Sequence, residues 1–200
     1  MTGRSVEVLA ADLNSKADIS RVEDALKSDA SITLLVNNAR IGTFALTRLT
    51  YAVAPRFVAR GTGTIINISS VAGIAPELLK GVYGGSEAYV LAFSLSLQHE
   101  LAPKGIRIQT VLPGAISTEF WDVGGTPVSH LPFEIVMTAD DLVDAALAGL
   151  DQRESIARGT GAALRRRRQG QRRRSVKSTM CRPSRSQERP SLAVREHWLW

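Results

Sequence analysis

Gly63-Thr64-Ile65-Ile66-Asn67-Ile68-Ser69-Ser70 decides the fold. Its middle, Thr64 to Ile68, is a short apolar run ended by two serines, the pattern of a strand buried on both faces. Helical spacing follows over Tyr83 to Leu101, then a further apolar run, Ile106 to Leu112, stopped by Pro113-Gly114. Upstream, Ile32 to Val36 is another strand-like run, ending in Asn37-Asn38-Ala39. Thr43 to Arg60 reads as a helix with Leu46, Leu49, Val53 and Phe57 on one side. Earlier still, Val6 to Ala11 alternates and turns at Asp12, which predicts a strand ending in an acid. Residues 18–28 carry Ile19, Val22, Ala25 and Leu26 at helical spacing, and Thr138-Ala139-Asp140-Asp141 opens a helix before Leu142 to Leu150. Strands alternating with helices of this length predict βαβ units and a parallel sheet. Right-handed crossovers make it a doubly wound, Rossmann-type α/β layer.

The 200 residues, 44% hydrophobic, suffice for one domain with a core. No apolar run is long enough to span a membrane, and the N-terminus lacks the basic-then-apolar signal pattern. The single cysteine, Cys181, excludes a disulfide framework and fits a reducing compartment, so the expected location is cytoplasmic. His99, His130 and His197 have no metal-ligand spacing, and no metal is expected.

The net charge of +6 is unevenly spread. Residues 165–200 hold 12 Lys/Arg against 2 Glu, whereas residues 1–164 hold 13 against 17 acids. Arg165 to Arg168 and Arg172 to Arg174 sit in a stretch with neither period 2 nor 3.6. Its few apolar residues do not offset ordering entropy, so 158–200 reads as disordered. The expected division is 1–152 as the folded unit and 153–200 as an arginine-rich tail. An arginine cluster attracts phosphates, but no aromatic residues interleave with it to stack on bases. Nucleic acid is therefore not the expected partner, and a weak anion binder is kept as an alternative.

The motifs fall in order on these elements. Asp12-Leu13 ends the first predicted strand and Asn37-Asn38-Ala39 the second. Ser70 lies 13 residues before Tyr83, and Pro113-Gly114-Ala115-Ile116-Ser117-Thr118 follows the last long strand. Each also has an ordinary reading: paired Asn and Ser at strand ends are turn formers, and Tyr at a helix start is often packing. Taken together, over residues 6–152, the chain resembles the short-chain dehydrogenase/reductase family.

That resemblance implies an NAD- or NADP-dependent oxidoreductase acting on an alcohol or ketone by hydride transfer. It implies that Tyr83 passes a proton to or from the carbinol oxygen while Ser70 hydrogen-bonds the same atom. Asp12 and Leu13 would lie beside the adenine ring, and Asn37, Asn38 and Ala39 would brace the sheet and line the ribose side. Pro113, Gly114, Ile116 and Thr118 would approach the nicotinamide. Phe120, Trp121, Phe133 and Met137 are candidates for an apolar substrate pocket. Family dimers suggest homo- or hetero-oligomers through helices 43–60 and 83–101.

Four departures stand against the family pattern. The glycine-rich Thr-Gly-x-x-x-Gly-x-Gly is absent from the sequence, with Thr2-Gly3 leading to no later glycines at that spacing. The chain accordingly reads as lacking the first two βα units. Arg40 stands where the family has glycine. The connection after Ala39 is short, so that Gly42 falls near the family's catalytic Asn. Glu87 occupies the position of the lysine in Tyr-x-x-x-Lys. Positions i and i+4 share a helix face, so a carboxylate faces the phenol where a cation belongs, and it repels a phenolate instead of stabilising it. The expectation is an impaired or inactive enzyme, with a non-enzymatic remnant that pairs with an intact relative as the alternative.

Overall fold

A strand needs a neighbour for its backbone hydrogen bonds, and successive apolar stretches of this chain supply them for one another. In the computed structural model, which describes residues 6–39, 43–75, 81–118, 121, 127–132 and 135–159, the strands are β1 (Leu34–Asn37), β2 (Gly63–Ile68) and β3 (Ile106–Pro113). They run parallel in sequence order, with Leu35 opposite Ile65 and Ile65 opposite Ile108. The short β4 (Ala115–Ile116) and β5 (Val136–Met137) form a separate parallel pair. β6 (Ile156–Gly159) completes the main sheet beside β3, giving the order β1-β2-β3-β6. The helices are α1 (Lys16–Ser28), α2 (Thr43–Arg60), α3 (Val82–Leu101) and α4 (Ala139–Asp151).

Alternation along the strands sends side chains to two cores. Leu35, Ile65, Ile106 and Ile108 meet Ile19 and Leu26 of α1, Leu49, Val53 and Phe57 of α2, and Leu97 and Leu101 of α3. Leu34, Ile66, Ile68, Val111 and Ala157 face the other way, toward Leu142, Ala146 and Leu150 of α4. The expected stripe on α2 is buried throughout, with Leu46, Leu49, Val53 and Phe57 at 8% exposure or less. Each such side chain contributes ~1.5–3 kcal/mol of burial. Helices on both faces of a parallel sheet make this the doubly wound layer that the pattern predicts. The second face is thinner, because among the described helices only α4 packs on it, and Val36 stands 47% exposed.

Two expectations are corrected. Val6 to Ala11 is not a strand: it is irregular, and Val6, Val8 and Leu9 are 59%, 62% and 42% exposed. In the Rossmann order 3-2-1-4-5-6, the third strand pairs with the second and the first follows. Neither stands beside residues 6–11 among the described residues, so alternation has no ladder to join. Conversely, the helical and strand pattern does not end at 152, since Ile156–Gly159 pairs with Thr110 to Pro113. The arginine cluster of 165–174 lies outside the described residues.

Helix α1 is held on α2 by arginines four or eight residues apart. Arg48 donates to both carboxylate oxygens of Glu23 at 2.6 and 2.8 Å, and to Ser20 Oγ at 3.1 Å. Arg56 donates to the Leu26 and Lys27 carbonyls at the α1 C-terminus, where the helix dipole favours a cation. Arg60 donates to the Ile32 carbonyl at 2.9 Å. The Arg48 guanidinium holds the Glu23 carboxyl below its ordinary value of 4.5. A lowered folded-state value gives stability that is complete above 4.5 and lost as the pH falls through the lowered one. Urea midpoints measured from about pH 6 down to about pH 3 are therefore expected to fall more steeply for the native chain than for Arg48→Ala, which lacks this contribution.

Candidate functional site

Because Asn37 is in register with Asn67 and Ile68 with Val111, the carboxyl ends of β1, β2 and β3 lie side by side. Asn38-Ala39, Ser69-Ser70 and Pro113-Gly114 all leave the sheet at this edge, the crevice in which open α/β sheets take ligands.

Ser69 extends β2 by one bond, its N–H donating to the Val111 carbonyl at 2.8 Å. Ser70 then caps the 3-10 turn Val71–Gly73, with its Oγ accepting the Ala72 N–H at 3.2 Å. A hydroxyl that accepts still has its own proton to donate, so Ser70 keeps a donor at the crevice. Tyr83 is the second residue of α3 and is half-buried. Gly81 starts that helix with φ +67°, a conformation that few other residues adopt.

The turn carrying Ser70 is locked to the helix carrying Tyr83. Ser69 Oγ donates to the Glu87 main-chain carbonyl at 2.9 Å, within the interior. Gly73 nests on the same carbonyl so closely that a Cβ there would sit 2.9 Å from its oxygen. Glu87 is buried at 5% exposure, on the α3 stripe of Glu87, Val90, Ser94, Leu97 and Leu101. The carboxylate that the sequence sets in place of lysine is thus enclosed one turn beyond Tyr83.

Asn37 does not reach for a ligand. Its Nδ2 donates to Thr50 Oγ1 at 3.2 Å and to Asn67 Oδ1 at 2.9 Å. Asn67 Nδ2 donates in turn to Ser94 Oγ at 2.8 Å, and Ser94 to the Val90 carbonyl at 2.7 Å. This buried ladder ties α2, β1, β2 and α3 together just beneath the crevice. Of the two roles implied for Asn37, it has the brace; Asn38 and Ala39 are the exposed pair at the rim.

Asp12 has a local task. Its Oδ1 accepts the N–H and side-chain amide of Asn14, its N–H donates to Asp18, and Leu13 packs on the first core. This is the turn chemistry of an Asp leading into α1. On the far side, Pro113 is buried, and Ile116 and Met137 pair across β4 and β5 at 8% and 3% exposure. Trp121 closes over this loop, its Nε1 donating to the Ile116 carbonyl at 2.7 Å, beside the half-buried Thr118. Arg40, Gly42, Glu119, Phe120 and Phe133 lie outside the described residues.

Thr50, Asn67, Ser69, Gly73 and Ser94 were not singled out from the sequence. A signal existed for Asn67, since a polar residue inside Ile65-Ile66-Asn67-Ile68 must find buried partners. None existed for Ser69 or Gly73, whose partner is a main-chain carbonyl on a distant helix.

A dinucleotide fits this arrangement at one end. On the side the family resemblance assigns to nicotinamide, the Pro113 to Ile116 backbone leaves the carboxyl edge of the sheet, as does the Ser70 turn, which is bonded to the helix that carries Tyr83. For the pyrophosphate, no glycine cradle occurs among the described residues, and the enclosed Glu87 carboxylate offers a ribose no cation.

The family model described as short chain dehydrogenase matches residues 40–124. A short-chain dehydrogenase of Sphingobium yanoikuyae, solved in complex with NADPH, is 41% identical with a TM-score of 0.76, over 95% of this chain and 81% of that one. The bulky-bulky ketone specific alcohol dehydrogenase of Comamonas testosteroni is 37% identical with a TM-score of 0.69, over 93% and 78%. The serine 3-dehydrogenase of Rhizobium radiobacter is 38% identical over 104 residues, half of this chain, which spans only 41% of that enzyme. The order of the motifs, the parallel sheet that sets them at one edge, and this likeness agree: the chain belongs to the short-chain dehydrogenase family.

Proposed function

We propose that this chain carries the substrate-facing half of an NAD(P)-dependent oxidoreductase for alcohols or ketones, and that Glu87 restrains its turnover. The observation that supports this most is the pairing of the Ser70 turn with the Tyr83 helix at the carboxyl edge of the sheet. When bound, the nicotinamide supplies or accepts the hydride. In the reducing direction Tyr83 gives its phenolic proton to the carbonyl oxygen, and Ser70, already satisfied as an acceptor by Ala72, donates a hydrogen bond to that oxygen. Pro113, Gly114, Ile116 and Thr118 are the residues that would hold the carboxamide, on the loop that Trp121 bonds at Ile116. Asn38 and Ala39, exposed at the rim, would line the ribose side, and the Asp12-Leu13 turn would lie toward the adenine. Turnover then depends on a phenol with a buried acid one helical turn away, so a low rate is the expected property of this chain.

The test is NADPH consumption with bulky ketones in high salt, by the native chain and by Tyr83→Phe. A slow rate that falls to background in Tyr83→Phe supports the reading. A folded chain that neither binds nor consumes NADPH sinks it and leaves the alternative, a subunit that pairs without catalysing.

For partners we propose self-association, or pairing with an intact relative, through α2 and α3 in the cytoplasm. These helices expose Phe44, Tyr51 and Tyr89 at 58%, 60% and 42%. Tyr89 stacks on Phe93 at 5.7 Å and hydrogen-bonds Thr47 at 2.8 Å, which gives a rigid aromatic face suited to another protein surface.

A further inference from the structure

We propose that Ser69, not itself a catalytic group, is a positioning residue that sets Tyr83 relative to Ser70; this rests on the reading of those two as the proton-handling pair. Strand β2 and helix α3 come from opposite ends of a connection of 13 residues, so nothing covalent and local fixes the gap between their side chains. What fixes it is one carbonyl. Glu87 O lies one turn along α3 from Tyr83, accepts the Ser69 hydroxyl at 2.9 Å, and is the surface on which Gly73 rests. Ser69 precedes the turn that Ser70 caps and Gly73 ends it, so both ends of that turn are held to the same point on α3.

Three features make this a positioning device and not general packing. The Ser69 hydroxyl is buried at 5% exposure, so no water replaces its bond. Its acceptor is main chain, so it reports the place of the helix and not of a mobile side chain. Other polar anchors of α3 lie farther along it: Tyr89 bonds Thr47 at its exposed face, while Ser94, three turns from Tyr83, and Gln98 hold the helix body to β2 and β3.

The experiment uses the full chain with 3-fluorotyrosine in place of its three tyrosines, the Tyr83 fluorine resonance being assigned by its loss in Tyr83→Phe. Ser69→Ala is expected to shift or split that resonance, and Ser69→Thr, which keeps the hydroxyl, to return it toward the native position. Ser94→Ala removes a buried hydrogen bond from the same helix and is expected to lower the melting temperature while leaving the Tyr83 resonance unmoved. If Ser69→Ala does not fold, Ser69→Cys, a weaker donor, is expected to give a smaller displacement in the same direction. An unmoved resonance in whichever Ser69 variant folds, or an equal displacement in Ser94→Ala, would overturn the proposal. The readout needs no turnover, so it stands apart from the reading of Tyr83 as the proton donor, which Tyr83→Phe tests by activity.

Discussion

Glu87→Lys is expected to raise NADPH-dependent ketone reduction by about a hundredfold over the native chain, the lower end of what a working general acid contributes. The argument is electrostatic. At the ~5.5 Å spacing of i, i+4 helix neighbours and an effective dielectric of about 20, one charge is worth roughly 3 kcal/mol to another, and lysine reverses its sign. With Glu87, the charged form of the Tyr83 phenol is repelled as it gives up its proton; with lysine it is attracted. Glu87 is buried and Tyr83 half-buried, so solvent screens the pair only in part. Glu87→Gln removes the repulsion without adding a cation, and its rate is expected to fall between the two. The measurement is kcat/KM in all three chains, each paired with Tyr83→Phe so that only the Tyr83-dependent part is compared. A folded Glu87→Lys chain with no gain in rate would mean that the restraint lies elsewhere, at the pyrophosphate end.

Asn67→Ala is expected to be the most destabilising single change at the site, costing about 3–4 kcal/mol. Asn67 is the middle of the ladder. It accepts from Asn37 and donates to Ser94, at 0% exposure, so its loss removes two buried hydrogen bonds at once and leaves a void between their partners. A domain stable by about 5–15 kcal/mol loses a large fraction of its margin. Thr50→Ala, at the end of the ladder, removes one of its hydrogen bonds and a smaller side chain, and should cost about 1 kcal/mol. Denaturant unfolding of the two variants gives the comparison. Equal losses would mean that the ladder is not the source of the effect.

Much of this was legible in the sequence where the signal was local. The periods of α2 and α3 and the apolar runs of β2 and β3 mark their own bounds, because burial on a helix stripe or a two-sided strand is written into neighbouring residues. Strand β6 is different. Ile156-Ala157-Arg158-Gly159 has little apolar pattern, and it is a strand because β3 offers it an edge. Val6 to Ala11 is the converse, a good strand pattern with no edge to join. At the site, the Ser70 and Tyr83 spacing pointed to the end of β2 and the start of α3, two elements that the Ser69–Glu87 bond joins. Asp12 also serves a local Asx turn, a task that an acid after an alternating run signals as readily as contact with an adenine. Ser69 stayed silent because its bond crosses between elements to a carbonyl that every residue possesses.

The thin second face of the sheet has a consequence for synthesis. Ile66, Ile68 and Val111 are covered from that side by α4 and by Ala157 of β6. These covering residues are made last among the described elements, after every other strand has left the ribosome. A nascent chain released at residue 138 would hold a finished first core and a bare apolar sheet on its reverse. Such a surface is what chaperones bind and what aggregates grow from. The segment 139–159 therefore acts as the closing step of biogenesis: a stop codon placed before it should yield insoluble protein, and one placed shortly after it soluble protein.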